Sequence, residues 1–168
     1  VIPECNYLEP SFLEELKNYL SNGGNILVIG SETAGLFKDE LGILSMETQE
    51  AQPEFIAAGK RIGGIRSPYA RVTLSPDAKV LSTYYKGSDF NQKGDLIASS
   101  SKKSGKGNIT AVYFNAGSAY TEYKSFILRD YLREHIESML TDPVVKVSGS
   151  ALVHIAVKIG RASCRERV

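Results

Sequence analysis

The spacing of apolar and polar positions divides the chain into an α/β beginning, a strand-rich middle and a helical end. Phe12, Leu13, Leu16, Tyr19 and Leu20 recur at helical spacing and predict one buried face. Pro10 and Ser11 open that helix, because proline is tolerated in a first turn, and Asn22-Gly23-Gly24 closes it with a residue able to take the left-handed cap. The run Asn25-Ile26-Leu27-Val28-Ile29-Gly30 is then continuously apolar, as expected of a parallel strand covered on both faces. Val1-Ile2-Pro3 reads as the end of a buried strand whose beginning precedes the chain. Ser31 to Leu41 reads as a further short helix, with Ser31 as its N-cap.

Beyond it the pattern shortens. Phe55–Ala58, Ile62–Ile65, Arg71–Leu74, Lys79–Tyr85 and Asp95–Ser99 are candidate strands, punctuated by Pro68, Pro76, Asp77, Gly87 and Gly94. Ser99 to Asn108 is polar throughout and predicts a mobile hairpin loop, followed by an apolar strand over Ile109–Phe114 and a turn over Asn115–Ser118. Tyr120 to Leu140 reads as the longest helix. Leu128, Leu132, Ile136 and Met139 line one face of it, Ile127 and Tyr131 lie beside them, and Asp142-Pro143 stops it. Val144–Val147 and Ala151–Val157 alternate as two strands of a hairpin turning at Gly149. The order of elements predicts an α/β domain with a flavodoxin-like three-layer core and a β-rich insertion over residues 1–142. The hairpin at 143–158 is expected to begin a further β-domain.

The last stretch, Ile159–Val168, is encoded residue for residue by ATC GGA AGA GCG TCG TGT AGG GAA AGA GTG, which resembles a short-read library adapter. Residues 159–168 are therefore expected to be a non-native tail and are set aside. The whole chain carries 20 Lys+Arg against 19 Asp+Glu; without Arg161, Arg165, Arg167 and Glu166 the balance is 17 against 18, a net charge of −1. A near-neutral domain argues against a nucleic-acid partner. No apolar run approaches the roughly 20 residues needed to span a bilayer, so no membrane partner is expected either. Cys5 is the one cysteine ahead of the tail, which excludes a disulfide framework and a cysteine-based zinc site.

The segment Val1-Ile2-Pro3-Glu4, with Leu8, Pro10 and Phe12–Gly30 (FLEELKNYLSNGGNILVIG), resembles the class I glutamine-amidotransferase-like superfamily. It is most similar to the non-catalytic version carried by large glycoside hydrolases, such as the trimerisation domain of family 42 β-galactosidases. Gly105-Lys106-Gly107-Asn108 before Ile109–Phe114 resembles the hairpin ahead of the last core strand in those domains, and the hairpin after Pro143 resembles the start of their C-terminal β-domain. The resemblance implies a structural or interaction role within a longer bacterial glycoside hydrolase. The partners it implies are other domains of the parent chain, a second copy of the domain, or carbohydrate. It also implies a periplasmic or extracellular location.

The chemistry of a working amidotransferase is missing at the corresponding positions. The turn after Asn25–Ile29, where the nucleophilic cysteine would stand, reads Gly30-Ser31-Glu32. The positions after Ile109–Phe114, where histidine and glutamate would follow, read Asn115-Ala116-Gly117. Ser31, Glu32, Asn115 and Gly117 are thus the degenerate triad positions, and no catalytic residue, metal or cofactor is expected. Gly30-Ser31-Glu32-Thr33-Ala34-Gly35 is not a G-x-S-x-G elbow, and Gly105-Lys106-Gly107 lacks P-loop spacing. Glu4, Cys5, Ser31 and Asn115 are expected to line a remnant cleft at the strand ends. His135 and His154 read as satisfied structural histidines. Two further readings remain open at this point. One is a divergent hydrolase using Ser31 or Cys5. The other is a sugar-binding surface built from Tyr69, Tyr84, Tyr85, Tyr113, Tyr120 and Tyr123.

Overall fold

In the computed structural model, residues 1–140 are described. The expected hairpin after Pro143, His154 and the tail lie outside the described residues.

The apolar run becomes β1 (Asn25–Ile29), and both of its faces are covered. Leu27 and Ile29 point to one side, into a core shared with Val112, Phe114, Leu128 and Tyr131. Ile26 and Val28 point to the other, against Leu20, Ala34, Phe37 and Leu41. The period-two alternation of a strand thus feeds two cores, one under each layer of helices. α1 (Pro10–Ser21) opens with its proline in the first turn, and the Glu9 side chain accepts a hydrogen bond from the Phe12 N–H. The buried face of α1 is narrower than its sequence pattern: Leu20 is fully enclosed and Leu13 and Leu16 pack partly, but Phe12 and Tyr19 are exposed.

The expected helix over Ser31–Leu41 is two short helices, α2 (Ser31–Gly35) and α3 (Lys38–Leu41). Gly30, not Ser31, is the N-cap of α2, and no side chain caps it. Ser31 is already helical and its side chain is buried.

β2 (Ile43–Ala58) and β3 (Arg61–Leu74) form one long antiparallel hairpin, which absorbs three of the shorter predicted strands. Pro68 does not interrupt it. Beyond Gln49 the register shifts, and the pairing continues to Ala58 opposite Arg61. β4 (Lys79–Tyr85) has the predicted bounds. β5 (Lys93–Ser104) continues through what read as a polar loop and turns at Gly105-Lys106 into β6 (Gly107–Val112). The serines tolerate that burial because they find hydroxyl partners. Ser100 Oγ lies 2.6 Å from Tyr113 OH, and Ser82 Oγ lies 2.7 Å from Ser99 Oγ and 2.6 Å from Tyr131 OH.

The six strands run in the order β1-β6-β5-β4-β2-β3. Only β1–β6 is a parallel ladder, extended by a parallel bridge from Ile2 to Val28. The remaining ladders are antiparallel. The sheet curls back on itself: Tyr69 bridges Phe114, and the Ala70 N–H donates to the Tyr113 carbonyl at 2.7 Å. The parallel part of the expected core is therefore confined to Ile2, β1 and β6, in a mixed six-stranded sheet. Inside the curl, Tyr69, Tyr84, Phe114 and Tyr131 pack in sequence with ring centroids 5.6, 6.0 and 5.8 Å apart.

The C-terminal helix is also divided. α4 (Ala116–Tyr123) begins inside the expected Asn115–Ser118 turn, and Lys124, with φ 49°, breaks it from α5 (Phe126–Met139). Ser125 caps α5 by accepting from the Leu128 N–H at 3.4 Å. Leu128, Tyr131 and His135 are the buried face of α5, while Ile136 is exposed. Full burial of a side chain such as Leu128 is worth about 1.5–3 kcal/mol, which holds α5 against the curled sheet. His135 is structural but not satisfied. Its Nε2 atom is buried without a partner among the described residues, and burial depresses its pKa from 6.5 to about 4.

Candidate functional site

The carboxyl ends of Ile2, β1 and β6 lie side by side. The Ile2 N–H donates to the Leu27 carbonyl at 2.8 Å, and the Ile29 N–H donates to the Ile2 carbonyl at 3.0 Å. Gly30 then turns the chain with φ 106°, its N–H donating to the Val112 carbonyl at 3.0 Å. A Cβ at Gly30 would stand 3.0 Å from Glu4 Cγ and 3.3 Å from both Asn115 Oδ1 and Thr33 Oγ1. The turn needs glycine both for its left-handed backbone and for its room. Open α/β sheets place ligands at such strand ends, and the remnant-cleft residues Glu4, Cys5, Ser31 and Asn115 all gather here.

Each of them is engaged by the fold. The Glu4 carboxylate accepts from the Gly117 N–H, from the Ser118 N–H at 3.1 and 3.2 Å, and from the Ser118 hydroxyl. It occupies the N-terminus of α4, where unsatisfied N–H groups and the helix dipole favour an anion. Asn115 Oδ1 accepts from the Ser31 N–H at 3.3 Å, and the Asn115 N–H donates to Ser67 Oγ at 3.0 Å. Thr33 Oγ1 accepts from the Cys5 N–H at 2.8 Å and lies 2.9 Å from the Cys5 carbonyl and 3.3 Å from the Pro3 carbonyl. Thr33, Ser67 and Ser118 are the site residues that sequence reasoning missed. Ser118 carried one weak signal, a hydroxyl in the first turn of a segment opened by Asn115.

Two hollows meet at Glu4 and Ser118. One, of about 540 Å³, lies between Pro3, Ile29, Thr121 and Glu122; the other, of about 340 Å³, lies between Cys5, Glu32, Thr33 and Asn115. Among the described residues, neither is lined by a histidine. Ser31 is 1% exposed, and among the described residues no group able to act as a base is hydrogen-bonded to it. Covalent catalysis needs a nucleophile within reach of an activating base, and among the described residues the cleft brings no such pair together. Cys5 is half-buried. No group of three or more His, Cys, Asp or Glu side chains among the described residues could hold a metal ion. Three of the six tyrosines considered for sugar stacking, Tyr69, Tyr84 and Tyr113, are core residues with at most 3% exposure. Tyr120 and Tyr123 are exposed, on α4.

No protein-family model matches the sequence, and no curated protein matches it significantly. The fold does have counterparts among solved structures. A GH42 β-galactosidase from G. stearothermophilus, Gan42B, superposes with a TM-score of 0.61 at 17% identity, over 86% of this chain and 22% of that one. An α-L-fucosidase from Paenibacillus thiaminolyticus superposes with a TM-score of 0.58 at 14% identity, over 83% of this chain and 24% of that one. A cytoplasmic protein of Salmonella typhimurium gives a TM-score of 0.56 at 14% identity, over 79% of this chain and 62% of that one. At these identities the likeness is one of fold. The chain spans about a fifth of the length of the β-galactosidase (22%).

Proposed function

We propose that the chain is a non-catalytic structural domain, of glutamine-amidotransferase-like type, belonging to a larger glycoside hydrolase of β-galactosidase kind. The observation that carries this reading is the use made of the strand-end cleft. The α4 N-terminus, a helix end there that could stabilise a developing anion, is closed by Glu4. The turn that would carry a nucleophile has the enclosed Ser31 in its place. The fold it shares with a small part of two glycoside hydrolases supports the same reading. In such a protein the domain supports the catalytic domain or an oligomer interface.

The test is direct. The purified chain, shown to be folded by circular dichroism, is assayed with chromogenic galactosides and fucosides and with glutamine, and no turnover is expected. Turnover abolished by Ser31→Ala or Cys5→Ala would overturn the proposal in favour of a divergent hydrolase. Sequencing the parent locus is expected to place a sugar-hydrolase domain in the same reading frame.

One observation favours a second reading, a carbohydrate-binding module. The larger hollow is open and lined by the Ser118 and Thr121 side chains and the Glu122 carboxylate, with Tyr120 and Tyr123 exposed on the same helix. Titration with galacto-oligosaccharides followed by NMR separates the two. Saturable shifts confined to α4 and Glu4 support binding, and a flat response removes it.

A further inference from the structure

Away from the cleft, three arginines from two elements converge on one carboxylate. Asp130, on α5, has a side chain only 9% exposed. Arg129 donates to its Oδ1 from both Nε, at 3.2 Å, and Nη2, at 3.0 Å. Arg133 Nη2 stands 3.6 Å from the same oxygen, and Arg61 Nη2, reaching across from the start of β3, stands 3.6 Å from Oδ2. The arginine side chains themselves are open to solvent, at 62% for Arg61, 44% for Arg129 and 59% for Arg133.

The charges do not balance. Arg133 also faces Glu137 at 3.7 Å, so among the described residues three cations meet two anions, and arginine does not release its charge at any ordinary pH. Lys60 lies in the β2–β3 turn next to Arg61, and Glu134 lies on α5 beside Gly59. The hydrogen bonding does not balance either. Each guanidinium carries five N–H donors in a planar fork, and the contacts to Asp130 and Glu137 engage a minority of the fifteen. Two of the arginines are held in place. Arg129 is tied through two of its nitrogens, and the Arg61 guanidinium lies over the Phe126 ring, 5.3 Å from its centroid. A surplus of one positive charge, preorganised forks and open access are what a single carboxylate requires.

We infer that Arg61, Arg129 and Arg133 form a binding site for the carboxylate of a small monoanionic ligand, with Asp130 as the residue that positions them. Asp130 holds the forks in register, and the ligand supplies the second carboxylate that completes the charge. The inference is independent of the cleft and of the role proposed for the domain.

The experiment is an NMR titration of the full chain with sodium acetate, against sodium chloride at matched ionic strength, reading backbone amides and arginine Nε–H signals. Saturable shifts confined to Arg61, Phe126, Arg129 and Arg133 are expected with acetate and not with chloride. Arg61→Gln and Arg129→Gln, both at exposed positions, are each expected to weaken binding at least tenfold while leaving the rest of the spectrum unchanged. Glucuronate and N-acetylaspartate amide then separate a sugar acid from an acidic side chain as the source of the carboxylate, and tighter binding of either supports the site. Linear shifts equal to those with chloride would overturn the inference. So would saturation that survives both variants, or a response to inorganic sulfate or phosphate with none to the carboxylates.

Discussion

Replacing His135 by phenylalanine is expected to reduce the protein's sensitivity to mild acid. The imidazole sits on the buried face of α5, 8% exposed, with the Tyr131 ring edge-on at a centroid distance of 4.6 Å. Its Nε2 atom meets no hydrogen-bond partner among the described residues, so nothing offsets the loss of water when the ring is charged. Desolvation accordingly depresses its pKa from 6.5 to about 4. In the unfolded chain the ring takes up its proton near pH 6.5. Between pH 6.5 and about 4 the unfolded state therefore binds more protons than the folded one, and stability falls as the pH falls through that window. Above pH 7 both states hold a neutral ring and the group contributes no slope. The differential is roughly 1 kcal/mol near pH 5.5 and roughly 2–3 kcal/mol near pH 4.5. Phenylalanine keeps an aromatic ring against Tyr131 and cannot titrate. Urea denaturation of both proteins from pH 7.5 down to 4.5 is the assay, and the comparison cancels the carboxylates common to both. The free energies of the two proteins are expected to diverge by those amounts in favour of the variant as the pH falls. Parallel curves would refute the reasoning, because they would mean that the folded ring takes up its proton as readily as the unfolded one.

Substitutions at Glu4 and Thr33 probe the architecture around the cleft, and a pair of glycine substitutions probes the far end of the sheet. Glu4→Ala removes the cap of α4 and is expected to lower stability by about 1–2 kcal/mol, read as a lower midpoint in chemical denaturation. Glu4→Gln keeps an uncharged acceptor and is expected to lose about half as much, so equal losses would show that the charge is irrelevant to the cap. Thr33→Val leaves the Cys5 N–H without its 2.8 Å acceptor in a part-buried setting and is expected to cost about 1–3 kcal/mol. Its amide is expected to exchange faster with deuterium. At the opposite end of the sheet, a Cβ at Gly107 would collide with the carbonyl oxygens of Gly24 and Leu20, whereas one at Gly24 would collide only with the exposed Tyr19 ring. Gly107→Ala is therefore expected to destabilise by about 3 kcal/mol or more, and Gly24→Ala by under about 1 kcal/mol, in parallel thermal melts. The reverse ranking would show that the β1–β6 approach is looser than described.

What the sequence made legible was whatever a neighbour along the chain decides. The bounds of α1 follow from Pro10 and the Asn22-Gly23-Gly24 stop, and β1 from an apolar run that needs cover on both faces. The strand-end location of Glu4 and Asn115 was legible for the same reason, because a strand's carboxyl end can be read from its own residues. What escaped depends on partners far away in sequence. Ser99 read as a strand end and Ser100 as loop because serine is polar. They are strand because Tyr113 and Ser82 supply hydroxyls to them, and Tyr131, from α5, joins that network through Ser82. The break at Lys124 has no glycine to announce it; a lysine takes the left-handed conformation, and α4 and α5 each pack into the same core. The six tyrosines illustrate the same limit from the opposite direction. Composition offered them as one surface, and the curl of the sheet turned Tyr69, Tyr84 and Tyr113 inward. The cleft belongs to this second class. Its residues could be named from their strand ends, but not the contact of the Glu4 carboxylate with a helix end 113 residues away. Only the folded chain brings those two groups together, and their meeting fills the N-terminus of α4 with a carboxylate of the protein's own.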